Sequence, residues 1–110
     1  MRRGTTPTHR FILPFDIPED AIVRVVYAQC DKVLIEKDIS QCSIDKNIIT
    51  VKLTDSDTLK FNCKRFLYKG ELKKWDAEIQ IGVKAADGTK VWSDTLTVKV
   101  DKCLKEDGVI

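Results

Sequence analysis

The sequence predicts an all-β fold, an antiparallel sandwich of two sheets, and three observations predict it. Apolar residues recur at every second position in several short segments, turn-forming residues separate those segments, and almost no stretch carries helical spacing. The clearest case runs from Trp75 to Val100. Trp75, Ala77, Ile79, Ile81 and Val83 alternate with Asp76, Glu78, Gln80, Gly82 and Lys84, the pattern of a strand with one buried face. Asp87-Gly88 then supplies a tight hairpin turn, since both residues tolerate positive φ. Leu96, Val98 and Val100 alternate with Thr95, Thr97 and Lys99 in a return strand. A hairpin alone is marginal in water, so its apolar face requires a second layer.

The remaining segments provide that layer. Residues 1–6 read as a flexible basic arm, residues 7–101 as the sandwich and residues 102–110 as a polar tail. Pro7 to Phe15 is a short extended run bounded by prolines, which suits an edge strand because proline cannot donate to a ladder. Ile22 to Gln29 is rich in β-branched residues, with Val23, Val25 and Tyr27 on one face. Asp31-Lys32 turns it into Val33 to Lys37, whose inward face is undecided because Val33 and Ile35 compete with Leu34. Cys42 to Ile44 is a weaker strand, turned by Asp45-Lys46-Asn47 into Ile48 to Leu53. Thr54 caps one helical turn with Asp57 three residues on, crossing between sheets. Phe61 to Cys63 is a short strand, and Lys64 to Leu72 is either another strand or a loop.

Seven or eight short strands at this spacing fit a sandwich of immunoglobulin type, with a small barrel as the alternative. The disulfide hallmark of antibody domains is missing, because Cys103 follows Trp75 too soon.

Composition sets the outer limits. The chain has 110 residues, 43% of them hydrophobic and 33% charged, which fits one globular domain and excludes disorder. No apolar run is long enough to span a membrane as a helix, and the stretch before Pro14 is too short for a secretory leader. The formal net charge of +2 does not by itself point to a polyanionic partner, so nucleic acid is not the expected one. Cys30, Cys42, Cys63 and Cys103 lack the paired spacing of a zinc site and read as free, partly buried thiols. If any two bridge, Cys30 and Cys42 are the pair.

No catalytic constellation emerges. His9 stands alone and reads as an exposed strand residue, and Asp55-Ser56-Asp57 lacks the glycine and distal glutamate of a calcium loop. The scattered glycines make no phosphate cradle, and no cofactor is expected. Two features remain as a possible interaction surface. Arg65, Phe66, Tyr68, Lys73 and Lys74 interleave positive charge with aromatics. This composition suits a single-stranded nucleic acid or a protein partner, and equally an edge strand guarded by lysines. Trp92, near the Asp87-Gly88 turn, is the best candidate for an exposed aromatic.

A family resemblance adds to this. Arg3-Gly4-Thr5-Thr6, the strand Phe11-Ile12-Leu13-Pro14-Phe15, the segment Ile22 to Tyr27 and the turn Leu53-Thr54-Asp55-Ser56-Asp57-Thr58 resemble small virion proteins of tailed phages and prophages of Gram-positive bacteria. More loosely, they are similar to the immunoglobulin-like domain of phage baseplate upper proteins. The resemblance implies a non-enzymatic structural or assembly protein of the tail, baseplate or neck. It implies other virion proteins and a homo-oligomer or ring as partners, no membrane, and residence in the virion after assembly in the host cytoplasm. It supplies no site residues. An adhesion module binding carbohydrate or protein is the second reading, and a single-stranded nucleic-acid binder acting through residues 64–75 the third.

Overall fold

The computed structural model describes residues 1–61, 66–68, 71–73 and 76–100. In chain order the strands are Thr8–Ile12 (β1), Ile22–Gln29 (β2), Lys32–Asp38 (β3), Cys42–Asp45 (β4) and Ile48–Lys52 (β5). A helical turn, Asp55–Thr58 (α1), follows. Then come Phe66–Tyr68 (β6), Glu71–Lys73 (β7), Asp76–Lys84 (β8), Lys90–Trp92 (β9) and Leu96–Lys99 (β10). One antiparallel sheet has the order β1-β5-β4. The other has β2 and β8 at its centre, β3 outside β2, and both β9 and β10 on the far side of β8. β6 and β7 form a separate two-stranded ladder.

The two larger sheets pack face to face as a β-sandwich, because each strand presents every second side chain to the same interior. Val23, Val25 and Tyr27 from β2, and Ala77, Ile79, Ile81 and Val83 from β8, are buried against Phe11, Ile49 and Val51 from the smaller sheet. Each large side chain buried this way contributes roughly 1.5–3 kcal/mol of transfer free energy. The face that the sequence assigns to each of these strands is the face that is buried.

Between β2 and β3 the register shifts: Tyr27 faces Ile35, but Ala28 faces Val33. Leu34 is the extra residue of a bulge. That resolves the competition among Val33, Leu34 and Ile35, for Ile35 is buried, Leu34 partly buried and Val33 exposed.

The turns differ from expectation in detail. The β2–β3 turn is Cys30-Asp31, one residue earlier than Asp31-Lys32, and both residues have positive φ, 48° and 63°. This is the signature of a two-residue primed turn. The loop at Asp87-Gly88 is a three-residue connection, closed by Gly88 N donating to Ala85 O and Ala85 N to Thr89 O. Gly88 alone takes positive φ there. The helical turn matches its reading: Thr54 is the N-cap of α1 and exchanges capping hydrogen bonds with Asp57. Phe61 lies in no strand but is buried just after α1.

Residues 1–6, expected as a flexible basic arm, are hydrogen-bonded to the rest of the chain at Met1, Arg3 and Thr5. The Met1 amino group donates to Lys99 O at 2.6 Å, and Arg3 donates to the carbonyls of Phe61 and Leu59 at 2.6 and 3.1 Å. Thr5 N donates to the Thr58 hydroxyl, which in turn donates to Thr5 O. The two Arg3 bonds cover carbonyls left open just beyond the C-terminal end of α1. The expected tail, 102–110, lies outside the described residues.

Candidate functional site

β3 leads through a 3₁₀ turn at Ile39–Gln41 into β4, so the chain itself closes that side of the sandwich. Among the described residues the opposite side is open. There β1, the outer strand of the smaller sheet, faces β9 and β10, the outer strands of the larger one. Between them lies a cleft of about 450 Å³. Phe11 and Leu13 line it from one sheet, Ile81 and Val83 from the other, with Ile12, Val91 and Leu96 exposed at its mouth.

Local chemistry holds both walls. β1 ends at Ile12, two residues before Pro14, and Leu13 is clamped by Asn47: its amide donates to Asn47 O at 2.8 Å and its carbonyl accepts from Asn47 Nδ2 at 3.0 Å. On the other wall, β9 and β10 are one edge strand interrupted by a bulge, since Gly82 pairs with Trp92 but Ile79 pairs with Leu96, a shift of one residue. Ser93 bridges the gap. Its amide donates to Ile81 O and its hydroxyl accepts from Ile81 N, both close to 2.9 Å, replacing ladder bonds the bulge removes.

Trp92 is 53% exposed, as the sequence suggests, and it sits on the outer face of the larger sheet. The ring lies on Gly82. A Cβ placed on that glycine would meet three consecutive ring carbons, Cε3, Cζ3 and Cη2, at 2.6–2.8 Å. An edge-on ring would hold one carbon near and the next well beyond, so the indole lies flat, one face on the strand and the other toward solvent. The signal was the glycine inside an otherwise regular strand pattern, which marks a close approach.

Of the other candidates, Arg65 and Lys74 lie outside the described residues. Phe66 and Tyr68 fall on β6 and Lys73 on β7, where the register sets Phe66 opposite Lys73 and Tyr68 opposite Glu71. β6 and β7 thus pair with each other. Trp92 is on a different strand pair, and among the described residues no ladder joins the two.

Sequence reasoning missed a polar group inside the sandwich. His9, expected to be exposed, is half-buried, and a 2.8 Å hydrogen bond links its Nδ1 to the hydroxyl of Tyr27. Burial, helped by the N-terminal charge, lowers the His9 pKa, so the ring is neutral at pH 7. Burial likewise raises that of Tyr27, with the charges of Cys42 and Asp57 adding to it. The Cys42 thiol is pushed up by burial and by Asp38, which makes it a poor nucleophile. Neither Cys42 nor Cys30 is in a disulfide. Among the described residues, no three of His, Cys, Asp and Glu gather as a metal site, and no helix is long and apolar enough to cross a membrane. The His9–Tyr27 bond orders the core, and Cys42, which lines an open surface hollow with Ile17 and Ile44, is kept as a protonated thiol.

Compared with known proteins, the chain matches no family model, no curated protein and no solved structure.

Proposed function

We propose that this chain is a non-enzymatic assembly protein, an immunoglobulin-like sandwich that joins its neighbours through the open side between β1 and the β9/β10 edge. The observation that carries this reading is the apolar cleft between the edges of β1 and β9/β10, on which no further strand of the described residues pairs apart from the Met1 bond to Lys99 at the far end of β10, with Ile12, Val91 and Leu96 left 74%, 45% and 45% exposed. Open edges carry unpaired backbone donors and acceptors, and natural proteins guard them unless something pairs there. A strand from a neighbouring subunit would extend a sheet and cover these side chains together. A ring or homo-oligomer follows if each copy gives a strand to the next. The assignment to a tailed-phage virion rests on the resemblance of Arg3 to Thr6, Phe11 to Phe15 and Leu53 to Thr58 to such proteins. Genes for tail, portal or capsid proteins flanking this one would support it, and flanking metabolic genes would count against it.

The edge reading is tested by mass. Wild-type protein measured by light scattering over a concentration series is expected to form oligomers, while an Ile12→Lys, Leu96→Lys double variant stays monomeric with an unchanged circular dichroism spectrum. Wild-type protein that remains monomeric throughout would count against self-assembly.

The exposure of Trp92 favours one second reading, an adhesion module that lays a ligand on the indole. Quenching of its fluorescence by soluble carbohydrate would support it.

A further inference from the structure

The outer face of the larger sheet carries a second feature, distinct from the open side. Register places Ile22 opposite Lys84, Arg24 opposite Gly82, Lys84 opposite Lys90 and Gly82 opposite Trp92, so all these side chains share one face. They line a shallow depression of about 200 Å³. Three of the lining side chains are cations, one is an indole, and none carries a carboxylate or a carboxamide.

Two details make this more than a solvated surface. Lys84 and Lys90 are directly cross-strand, where like charges repel, and neither makes an ion pair among the described residues. Arg24 is already engaged by Glu36 at 3.4 Å, which leaves the lysine pair as the uncompensated charge. The indole of Trp92, flat on Gly82, offers its other face to solvent beside that pair. Lys90 lies two residues from Trp92 on the same strand face, roughly 6.6 Å along the strand.

We propose that this depression binds a nucleotide unit of a single-stranded nucleic acid, with a base stacked on Trp92 and its phosphates held by Lys84 and Lys90. A polyanion relieves the lysine repulsion, and a base fits the indole face. Stacking on an aromatic beside a cationic track is the mode by which single strands bind without sequence preference. A neutral sugar would stack as well, but it would leave the repulsion between Lys84 and Lys90 uncompensated. The modest net charge of the whole chain does not lead to this partner; the local arrangement does.

The test is fluorescence titration of full-length protein with a short oligothymidylate, polyglutamate and polygalacturonate, in a Trp75→Phe background so that Trp92 reports. Oligothymidylate is expected to quench Trp92, with affinity falling as salt rises. Lys84→Gln with Lys90→Gln should reduce the salt slope by about 1.4, two phosphates at about 0.7 each on single strands. Trp92→Leu, followed by the anisotropy of a dye-labelled oligothymidylate because the reporting indole is gone, should weaken binding about tenfold or more, and Trp92→Phe in the same assay should restore most of it. The lysine variant removes a repulsion and is expected to fold at least as well as the parent, so it keeps the test sound if the tryptophan variants do not fold. No binding of oligothymidylate, a slope unchanged in the lysine variant, or preference for polyglutamate or polygalacturonate would each overturn the proposal.

Discussion

The Lys37 ammonium and the Asp57 carboxylate meet at 2.8 Å with only 12% and 11% of their side chains exposed, tying β3 to the helical turn α1. Burial pushes the Asp57 carboxyl up, but the Lys37 ammonium and the hydrogen bonds from Thr54 outweigh it, and its pKa lies below the usual value. The same carboxylate accepts from the Thr54 amide, so the pair also holds the helix cap. Removing one partner leaves the other charged and largely dry.

Asp57→Asn or Lys37→Met alone is therefore expected to cost about 2–3 kcal/mol, somewhat less than a fully buried pair. The Lys37→Met, Asp57→Leu double variant should recover part of that loss. Urea unfolding of the single and double variants measures the coupling; strictly additive losses would mean the pair contributes nothing.

Trp92 on Gly82 makes a second prediction. Gly82→Ala puts a Cβ 2.6–2.8 Å from three ring carbons, so the indole must move off the strand. The ring is exposed on its other side and can give way, which limits the cost to about 1–2 kcal/mol. Trp92 emission in a Trp75→Phe background should shift to the red. Unchanged emission would mean the ring does not lie there.

Much of the sandwich was legible because its strands obey local rules. Ile22 to Gln29 and the alternating residues of β8 announce their buried faces through period-two spacing alone, and Thr54 with Asp57 announces a helix cap three residues apart. What escaped depends on contacts distant in sequence. The bulges at Leu34 and beyond Trp92 are register shifts, visible only once the partner strand is known. The His9–Tyr27 bond spans two sheets, and the cleft takes Ile12, Val91 and Leu96 from separate segments. Arg3 looked like part of a loose arm because the carbonyls it satisfies, Leu59 and Phe61, are more than fifty residues away.

The β4–β5 turn carries avoidable strain. Lys46 has a φ of 55°, a left-handed conformation that costs a residue with a Cβ about 1–2 kcal/mol. Its side chain is exposed, and its carbonyl, which accepts from Ile17 N, survives substitution. After allowing for the greater freedom of glycine in the unfolded chain, Lys46→Gly should stabilise the protein by about 0.5–1 kcal/mol. A higher denaturation midpoint at unchanged slope is the expected readout.

Stability should fall on both sides of neutrality. His9 binds its proton less tightly when folded, so its contribution is full above the ordinary 6.5 and is lost as pH falls from there through the folded value. Asp57, also lowered, adds a second loss as pH drops below 3.8. Cys42 and Tyr27 are raised, so their contributions are full below 9.0 and 10.0 and are lost as pH climbs beyond those values. Unfolding free energy measured across pH tests this, and His9→Gln should flatten the slope just below 6.5 while leaving the alkaline limb in place.

The first six residues decide how assembly can be tested. Arg3 donates two charge-assisted hydrogen bonds to backbone carbonyls, and the buried Thr58 hydroxyl both donates a hydrogen bond to Thr5 O and accepts one from Thr5 N. Hydrogen bonds to charged groups contribute about 1.5–3 kcal/mol, and unsatisfied groups left behind add their own cost. Arg3→Ala is thus expected to lose about 2 kcal/mol, and deletion of residues 1–6 more than that. An arm free in solution would predict no loss from either change, so thermal denaturation separates the two pictures. If the deletion lowers stability as expected, any drop in oligomer mass it causes reflects a weakened sandwich. The Ile12→Lys, Leu96→Lys variant, which leaves those bonds untouched, is the one that reports on the edges.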